Sequence, residues 1–258
     1  MDKYEEFKGW FKKNNYGIWK MTVTDDIVYP TFSMENLNNK KDVFDEFEKM
    51  VEAYFSQSKA LIKGGVDVLL LETCFDTLNV KAAIVGIRKA MFNLCVDLPI
   101  WISFTVSDEK GRLLTGQNIE EFYNVIKDFN PTVVSLNCGW GAEKMIGFAE
   151  RLSSIADCYV GMYPNAGLPD EFGKYLQTPE IMVNELSGLL KERKLNVVGG
   201  CCGTTPAHIS ELRRFIDSQI LKPRLCLKSS TSCRRFKIIG ERCNVLGSKK
   251  FSNLIASE

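Results

Sequence analysis

The sequence predicts an α/β protein built on a parallel sheet, and three observations predict it. Short apolar runs alternate with helical segments, several of those runs are apolar on both faces, and polar residues collect where the runs end. Strands that are apolar on both faces need cover on both sides. In parallel α/β folds, barrel or doubly wound, ligands bind at the C-terminal ends of the strands.

The first clear element is a helix. DVFDEFEKMVEAYFSQSKALIK, from Asp42 to Lys63, sets Phe47, Met50, Val51, Tyr54, Phe55, Ser58 and Leu61 at helical spacing and stops at Gly64-Gly65. VDVLLLET follows as a buried strand, then DTLNVKAAIVGIRKAMFNL as a helix with Leu78, Ala82, Val85 and Phe92 inward. LPIWISFTV is the next strand, NIEEFYNVIKDF a helix, PTVVSLNC a strand and GAEKMIGFAERLSSI a helix. CYVGMYPNAG runs as a strand into a Tyr-Pro-Asn turn, TPEIMVNELSGLLKER is helical, LNVVGGCC is a strand, and TPAHISELRRFIDSQI is a closing helix. Glu72 and Thr73, Thr105, Asn137 and Cys138, Asn165, and Cys201 and Cys202 all fall at strand C-terminal ends. This polar set maps a site.

The flanks read differently. Residues 1–41 have no clear period, although YGIWKMTV has strand character and TDDIVYPTFSMENLNNKK has turn chemistry. Residues 42–221 form the main α/β unit, 222–235 read as a linker, and 236–258 open a new unit with a strand, a polar loop and a helix start.

Bulk properties exclude several classes. A net charge of +1 makes no electrostatic case for a nucleic-acid or membrane partner, and 45% hydrophobic with 25% charged residues is ordinary for a soluble globular chain. No apolar run reaches the roughly 18 residues of a membrane span, and MDKYEEFKGWFKK is no signal peptide, so a cytoplasmic location is expected. In such a reducing compartment the nine cysteines are buried, catalytic or metal-bound rather than paired.

Adjacent residues of a regular strand point to opposite faces, so Cys201 and Cys202 share a ligand only where the strand ends and the backbone turns. Gly199-Gly200 and Gly203 supply that freedom. A vicinal disulfide and a pair of packed thiols are the competing explanations. Cys138, followed by Gly139, ends another strand and converges on the same rim if the two strands share one sheet. Three thiolates suit zinc with an open fourth position and argue against magnesium or calcium. Such a site activates a sulfur nucleophile for attack on an alkyl group.

LLLETCFDTLNVKAA, SLNCG, YPNAGLP and VVGGCCGTTPAHI resemble the homocysteine S-methyltransferase domain, in the form found in cobalamin-dependent methionine synthases, in register from about Val43 through Ile216. IGERCNVLGSKKF resembles the opening strand and loop of the folate-binding domain that follows it there. The resemblance implies a (βα)8 TIM-barrel fold, here incomplete, with the last five or six βα units. Segments like DGGMGT, ETNTF and GxxGP, which mark the first three strands in the family, are missing, and YGIWKMTV is a candidate remnant of the third.

The resemblance also implies Zn2+ on Cys138, Cys201 and Cys202, with Glu72 holding the substrate ammonium and Asp76 lining the same rim. Asn165 matches a residue that occupies the open zinc position in the absence of substrate, and Tyr163 stands where some members have histidine. The implied reaction transfers a methyl group to the thiolate of homocysteine, giving methionine. The implied donor is methylcobalamin, derived from methyltetrahydrofolate and held by other modules of a larger synthase. A truncated, non-catalytic zinc-binding remnant and a methyltransferase using another donor are the alternative readings.

Other residues carry plainer expectations. His208 serves a helix start or packing, Glu120 and Glu121 form a solvated helix face, and Trp10, Trp19 and Trp101 pack. Cys74, Cys95, Cys158, Cys226, Cys233 and Cys243 are buried or surface thiols without convergent partners. GGVDVLLLE lacks the GxxxxGK[ST] pattern of a phosphate cradle.

Overall fold

The computed structural model describes residues 40–222 and 224–226, with the backbone alone for residues 40–46 and for the short pairs Ile238–Ile239 and Asn244–Val245. The YGIWKMTV strand, Cys233, Cys243, and most of the expected linker and C-terminal unit lie outside the described residues. The chain divides into two compact units, residues 1–69 with 78–98, and residues 70–77 with 99–258.

The described residues of the first unit carry the helices α1 (Lys40–Gly64) and α2 (Thr77–Asn93). They touch at Gly86, where a Cβ would stand 2.6 Å from the Val51 carbonyl oxygen and 2.7 Å from the Phe55 nitrogen, so only a bare backbone fits. Met50, Val51 and Ala82 form the contact, with Phe47 and Tyr54 against it, and the Tyr54 hydroxyl donates to Asn79 Oδ1 at 2.8 Å.

The expected inward face of α2 is corrected. Ala82 is buried, but Leu78, Val85 and Phe92 are exposed, Phe92 to 88%, and Leu61 of α1 is exposed too. The buried stripe runs through Val80, Ala83, Ile84, Ile87, Ala90 and Met91. Apolar residues occur all round this helix, so its sequence period leaves the phase open and tertiary contact selects it.

The second unit is built on a five-stranded sheet of β1 (Leu69–Cys74), β2 (Ile100–Phe104), β3 (Val133–Gly141), β4 (Tyr159–Asn165) and β5 (Val197–Val198). Their spatial order equals their chain order, and β2 to β5 pair in parallel. Doubly wound sheets reverse direction at a switch point, whereas βα barrels step always to the next neighbour. This winding places the chain in the TIM-barrel class of α/β folds, with five consecutive βα units among the described residues. The linking helices of this unit are α3 (Ile119–Ile126), α4 (Ala142–Ile155), α5 (Pro179–Lys191) and α6 (Pro206–Ser218). A two-stranded antiparallel ladder, β6 (Ile238–Ile239) with β7 (Asn244–Val245), falls in the segment expected to open a new unit.

Two apolar faces were expected of these strands, and the structure shows one. Ile102, Phe104, Val134, Leu136, Val160 and Met162 alternate onto the helix side, where Phe104 stacks on Phe122 of α3 at 4.3 Å. Trp101, Ser103, Ser135, Asn137, Tyr163 and Asn165 alternate onto the other. There Trp101 Nε1 donates to Ser135 Oγ at 2.6 Å and meets Tyr163 edge to face at 5.9 Å. Both faces are largely buried, and on the second Trp101 bonds Ser135 and Ser103 bonds Asn137, while the Tyr163 hydroxyl has no hydrogen-bond partner among the described residues. Trp101 therefore packs and also donates a hydrogen bond.

Capping fixes where the helices begin. Asn118 and Glu121 form a reciprocal box at the start of α3, and Glu120 pairs with Arg151 through contacts of 2.6 and 3.0 Å. Both glutamates, expected to be merely solvated, thus hold specific partners. Thr178 caps α5, and Pro179 stands at its start. His208 is buried and serves the start of α6 as expected, its Nδ1 accepting from the Thr205 N–H at 3.2 Å and its Nε2–H facing the Gln177 carbonyl at 2.9 Å. Beyond α6, the buried Arg224 guanidinium donates to the carbonyls of Ser153, Ala156 and Cys158 and stitches this segment to the start of β4.

Candidate metal centre

The site begins with a break in register. Asn137 of β3 lies opposite Tyr163 of β4, but the next pairing is Gly141 with Asn165, so Cys138, Gly139 and Trp140 bulge opposite Pro164 alone. Cys138 takes φ +59° and Gly139 φ +75°, and a Cβ on Gly139 would stand 2.7 Å from the Val106 carbonyl oxygen. The bulge takes the Cys138 side chain out of the strand alternation and onto the rim.

The cysteine pair is held by the neighbouring strand. β5 ends at Val198, yet the chain keeps following β4, with Gly199 N–H donating to the Met162 carbonyl at 3.2 Å and Cys201 N–H to that of Pro164 at 2.7 Å. Cys202 N–H donates to Asn165 Oδ1 at 3.2 Å, and Ala166 N–H donates to the Cys202 carbonyl at 2.8 Å. The turn at Gly203, φ +76°, lets the Tyr175 ring fill the place of a Cβ.

Three sulfurs meet as a result. Cys138 Sγ is 3.7 Å and Cys201 Sγ 4.0 Å from Cys202 Sγ, and all three lie within 4.8 Å of one another. Tetrahedral zinc with Zn–S bonds of about 2.3 Å sets its sulfurs roughly 3.8 Å apart, so the donor set and its spacing fit such an ion. The three cysteines are free thiols, and the sulfur separations exceed a disulfide bond of about 2.05 Å.

The electrostatics show what the cluster needs. The Cys138 thiol is drawn down to about 5, chiefly by a hydrogen bond from Cys201, with help from the Gly139 N–H. Cys201 is pushed up because it donates that bond and is buried beside its neighbours' charge, and Cys202 is pushed up by burial and by the Cys138 charge. The trio alone favours one thiolate. Holding three in this space requires a cation.

Among the other expected residues, Asn165 and Glu72 are tied to the sulfurs, the first by a hydrogen bond and the second by its charge against Cys138. Asn165 ends β4 and anchors Cys202. Glu72, near the end of β1, has its carboxyl raised by the partial desolvation of the carboxyl group and then by the Cys138 charge. Asp76 lies just ahead of α2, and its charge, after that of Glu72, adds to the burial that pushes the Cys74 thiol up to about 12. Tyr163 is buried on the polar face of the sheet.

Sequence reasoning missed several neighbours. Ser103, Ser135 and Trp101 carry a visible signal, a polar or amphipathic residue at every second position of their strands. Tyr175 ends the segment DEFGKY in the loop after β4, and that segment echoes DEKGRL in the loop after β2. The likeness is structural as well: Asp108 Oδ1 accepts from the N–H groups of Lys110 and Arg112, and Asp170 Oδ1 from those of Phe172 and Lys174. Gly111 and Gly173 both adopt φ +76°.

Among solved structures, the oxidized form of the homocysteine methyltransferase MmuM from Escherichia coli matches at 21% identity and a TM-score of 0.51, over 64% of this chain and 52% of that one. The apo form matches at 22%, 0.48, 64% and 57%, and the metallated form at 22%, 0.49, 64% and 52%. The chain thus spans about half the length of the solved structures it matches, and the first of these likenesses supports the fold. The homocysteine S-methyltransferase family model matches residues 21–216, well over half of the 258. The chain belongs to the homocysteine S-methyltransferase family.

Proposed function

We propose that the chain transfers a methyl group to the thiolate of homocysteine, giving methionine, at a zinc ion held by Cys138, Cys201 and Cys202. The observation that carries this reading is the convergence of three sulfurs within 4.8 Å at the ends of β3 and β5, the parallel strands on either side of β4. Zinc at such a site supplies positive charge and an open position, which keep a substrate thiol in its nucleophilic thiolate form.

The protein's own groups supply the rest. Glu72 offers its carboxylate to the substrate ammonium, a charge-assisted contact on the same rim as the sulfurs. Asp76 adds negative charge beside Cys74 at the end of β1, and Asn165 holds Cys202 in place through its side-chain oxygen. The donor we assign is methylcobalamin, derived from methyltetrahydrofolate and carried by cobalamin- and folate-binding modules. The likeness of IGERCNVLGSKKF to the start of a folate-binding domain supports that choice. On this reading residues 42–221 are the homocysteine-binding part, 222–235 a linker and 236–258 the start of the folate-binding domain. The free thiols suit a cytoplasmic setting. Among the described residues, no helix is long and apolar enough to cross a membrane.

Purified chain loaded with zinc is expected to form methionine from methylcobalamin and homocysteine, and Cys202→Ser to lose both metal and turnover. Full zinc occupancy in Cys202→Ser overturns the site. Zinc binding without turnover from methylcobalamin marks the non-catalytic remnant, and turnover only with another methyl donor overturns the cobalamin assignment.

A further inference from the structure

Asn137 is fully buried, and its side chain has each end committed. Its Oδ1 accepts from Ser103 Oγ at 2.6 Å, and its Nδ2 donates to Thr73 Oγ1 at 2.7 Å and toward Cys201 Sγ at 3.9 Å. With its Oδ1 toward the Ser103 hydroxyl, the amide turns its NH2 group to Thr73 and Cys201. One amide therefore joins the ends of β1, β2 and β3 to the sulfur cluster.

Its partner Thr73 is unusual. It holds φ +55°, a conformation that a β-branched residue adopts only when its surroundings impose it. The hydrogen bond from Asn137 is such a constraint, and Thr73 follows Glu72 directly.

We propose that Asn137 is a positioning residue, whose amide sets the donor strength of Cys201 toward the metal and fixes the Glu72–Thr73 strand end at its working distance from the sulfurs. An N–H donated to a thiolate withdraws charge from it and orients its lone pairs, as partners of metal ligands generally do. The same amide, by holding Thr73, places the Glu72 carboxylate where an amino acid whose thiol sits at the metal presents its ammonium. The inference rests on the zinc and homocysteine reading above.

Asn137→Asp tests it at nearly unchanged volume, replacing the NH2 donor by a carboxylate oxygen that repels Cys201. Full-length chain loaded with zinc is titrated with a chromophoric chelator, and chain loaded with Co2+ is followed through its sulfur-to-cobalt charge-transfer band. Zinc affinity is expected to fall about tenfold or more, as second-layer substitutions at metal sites do. The cobalt band is expected to shift, and KM for homocysteine to rise more than kcat falls. Ser103→Ala, which frees the amide but leaves the donor in place, is expected to move the same readouts in the same direction by less.

An unshifted cobalt band with wild-type zinc affinity in both variants overturns the inference while leaving the zinc site intact. Failure of the wild-type chain to bind zinc overturns the reading beneath it instead. A fall in thermal stability with unchanged metal readouts reduces Asn137 to a structural role and also overturns it.

Discussion

Asn165 Oδ1 accepts the backbone N–H of Cys202 at 3.2 Å, so the residue that ends β4 holds one of the three convergent cysteines from outside its own strand. This contact orients the turn that brings two consecutive sulfurs to the same side. Asn165→Ala leaves that N–H without its partner, and zinc affinity is expected to fall about tenfold, measured by chelator competition. Unchanged affinity would show that the turn is held by the Pro164 and Ala166 backbone bonds alone.

Gly86 in α2 faces the α1 backbone at distances that leave no room for a methyl group. Alanine ordinarily favours a helix over glycine by about 1 kcal/mol. Overpacking against backbone atoms, which cannot turn away as a side chain can, costs more, so Gly86→Ala is expected to lose roughly 1–2 kcal/mol net. Urea denaturation checks the sign, and a stabilised variant would mean that the two helices part easily.

Arg224 donates to three backbone carbonyls from a buried position, and desolvation draws its own pKa down. Arg224→Met keeps much of the stem but leaves the Ser153, Ala156 and Cys158 carbonyls without those donors. A loss of about 2–4 kcal/mol is expected in denaturant unfolding. A loss below 0.5 kcal/mol, on the scale of a neutral surface change, would mean that this segment is not fastened by the guanidinium.

Glu120 pairs with Arg151 in a half-exposed setting, and the hydrogen bond from Arg151 holds its carboxyl below the usual carboxylate range. A folded-state pKa lowered in this way adds stability that is present above the unfolded value near 4.3 and is lost as pH falls through the lower folded value. Solvent screening keeps the contribution under about 1 kcal/mol. The stability gap between wild type and Glu120→Gln is therefore expected to be small at pH 7 and to close below about pH 4. A gap that widens with acid would contradict the pairing.

The alternation of strands and helices and the polar residues at the strand ends were legible in the sequence, because both follow from local rules: apolar runs between turn residues, and glycines placed where a strand must stop. The convergence of Cys138 with Cys201 and Cys202 was legible only on the condition that their strands share one sheet. The inward face of α2 was not legible, because Leu78, Val85 and Phe92 are as apolar as the residues that are actually buried. The polar face of the sheet left a trace in the sequence, polar residues at every second position of β2 and β3, but only the partners of Ser103 and Ser135 across the sheet show that these positions form one bonded face.

The sequence by itself determined which residues can bind a soft metal and which end of the sheet they occupy, because residue chemistry and strand direction are properties of the chain. Only the tertiary structure decided the winding, the bulge that releases Cys138 and the amide that joins Thr73 to Cys201. Those depend on register and packing between segments far apart in the chain. A shift of one residue in register would turn the same side chains to the opposite face.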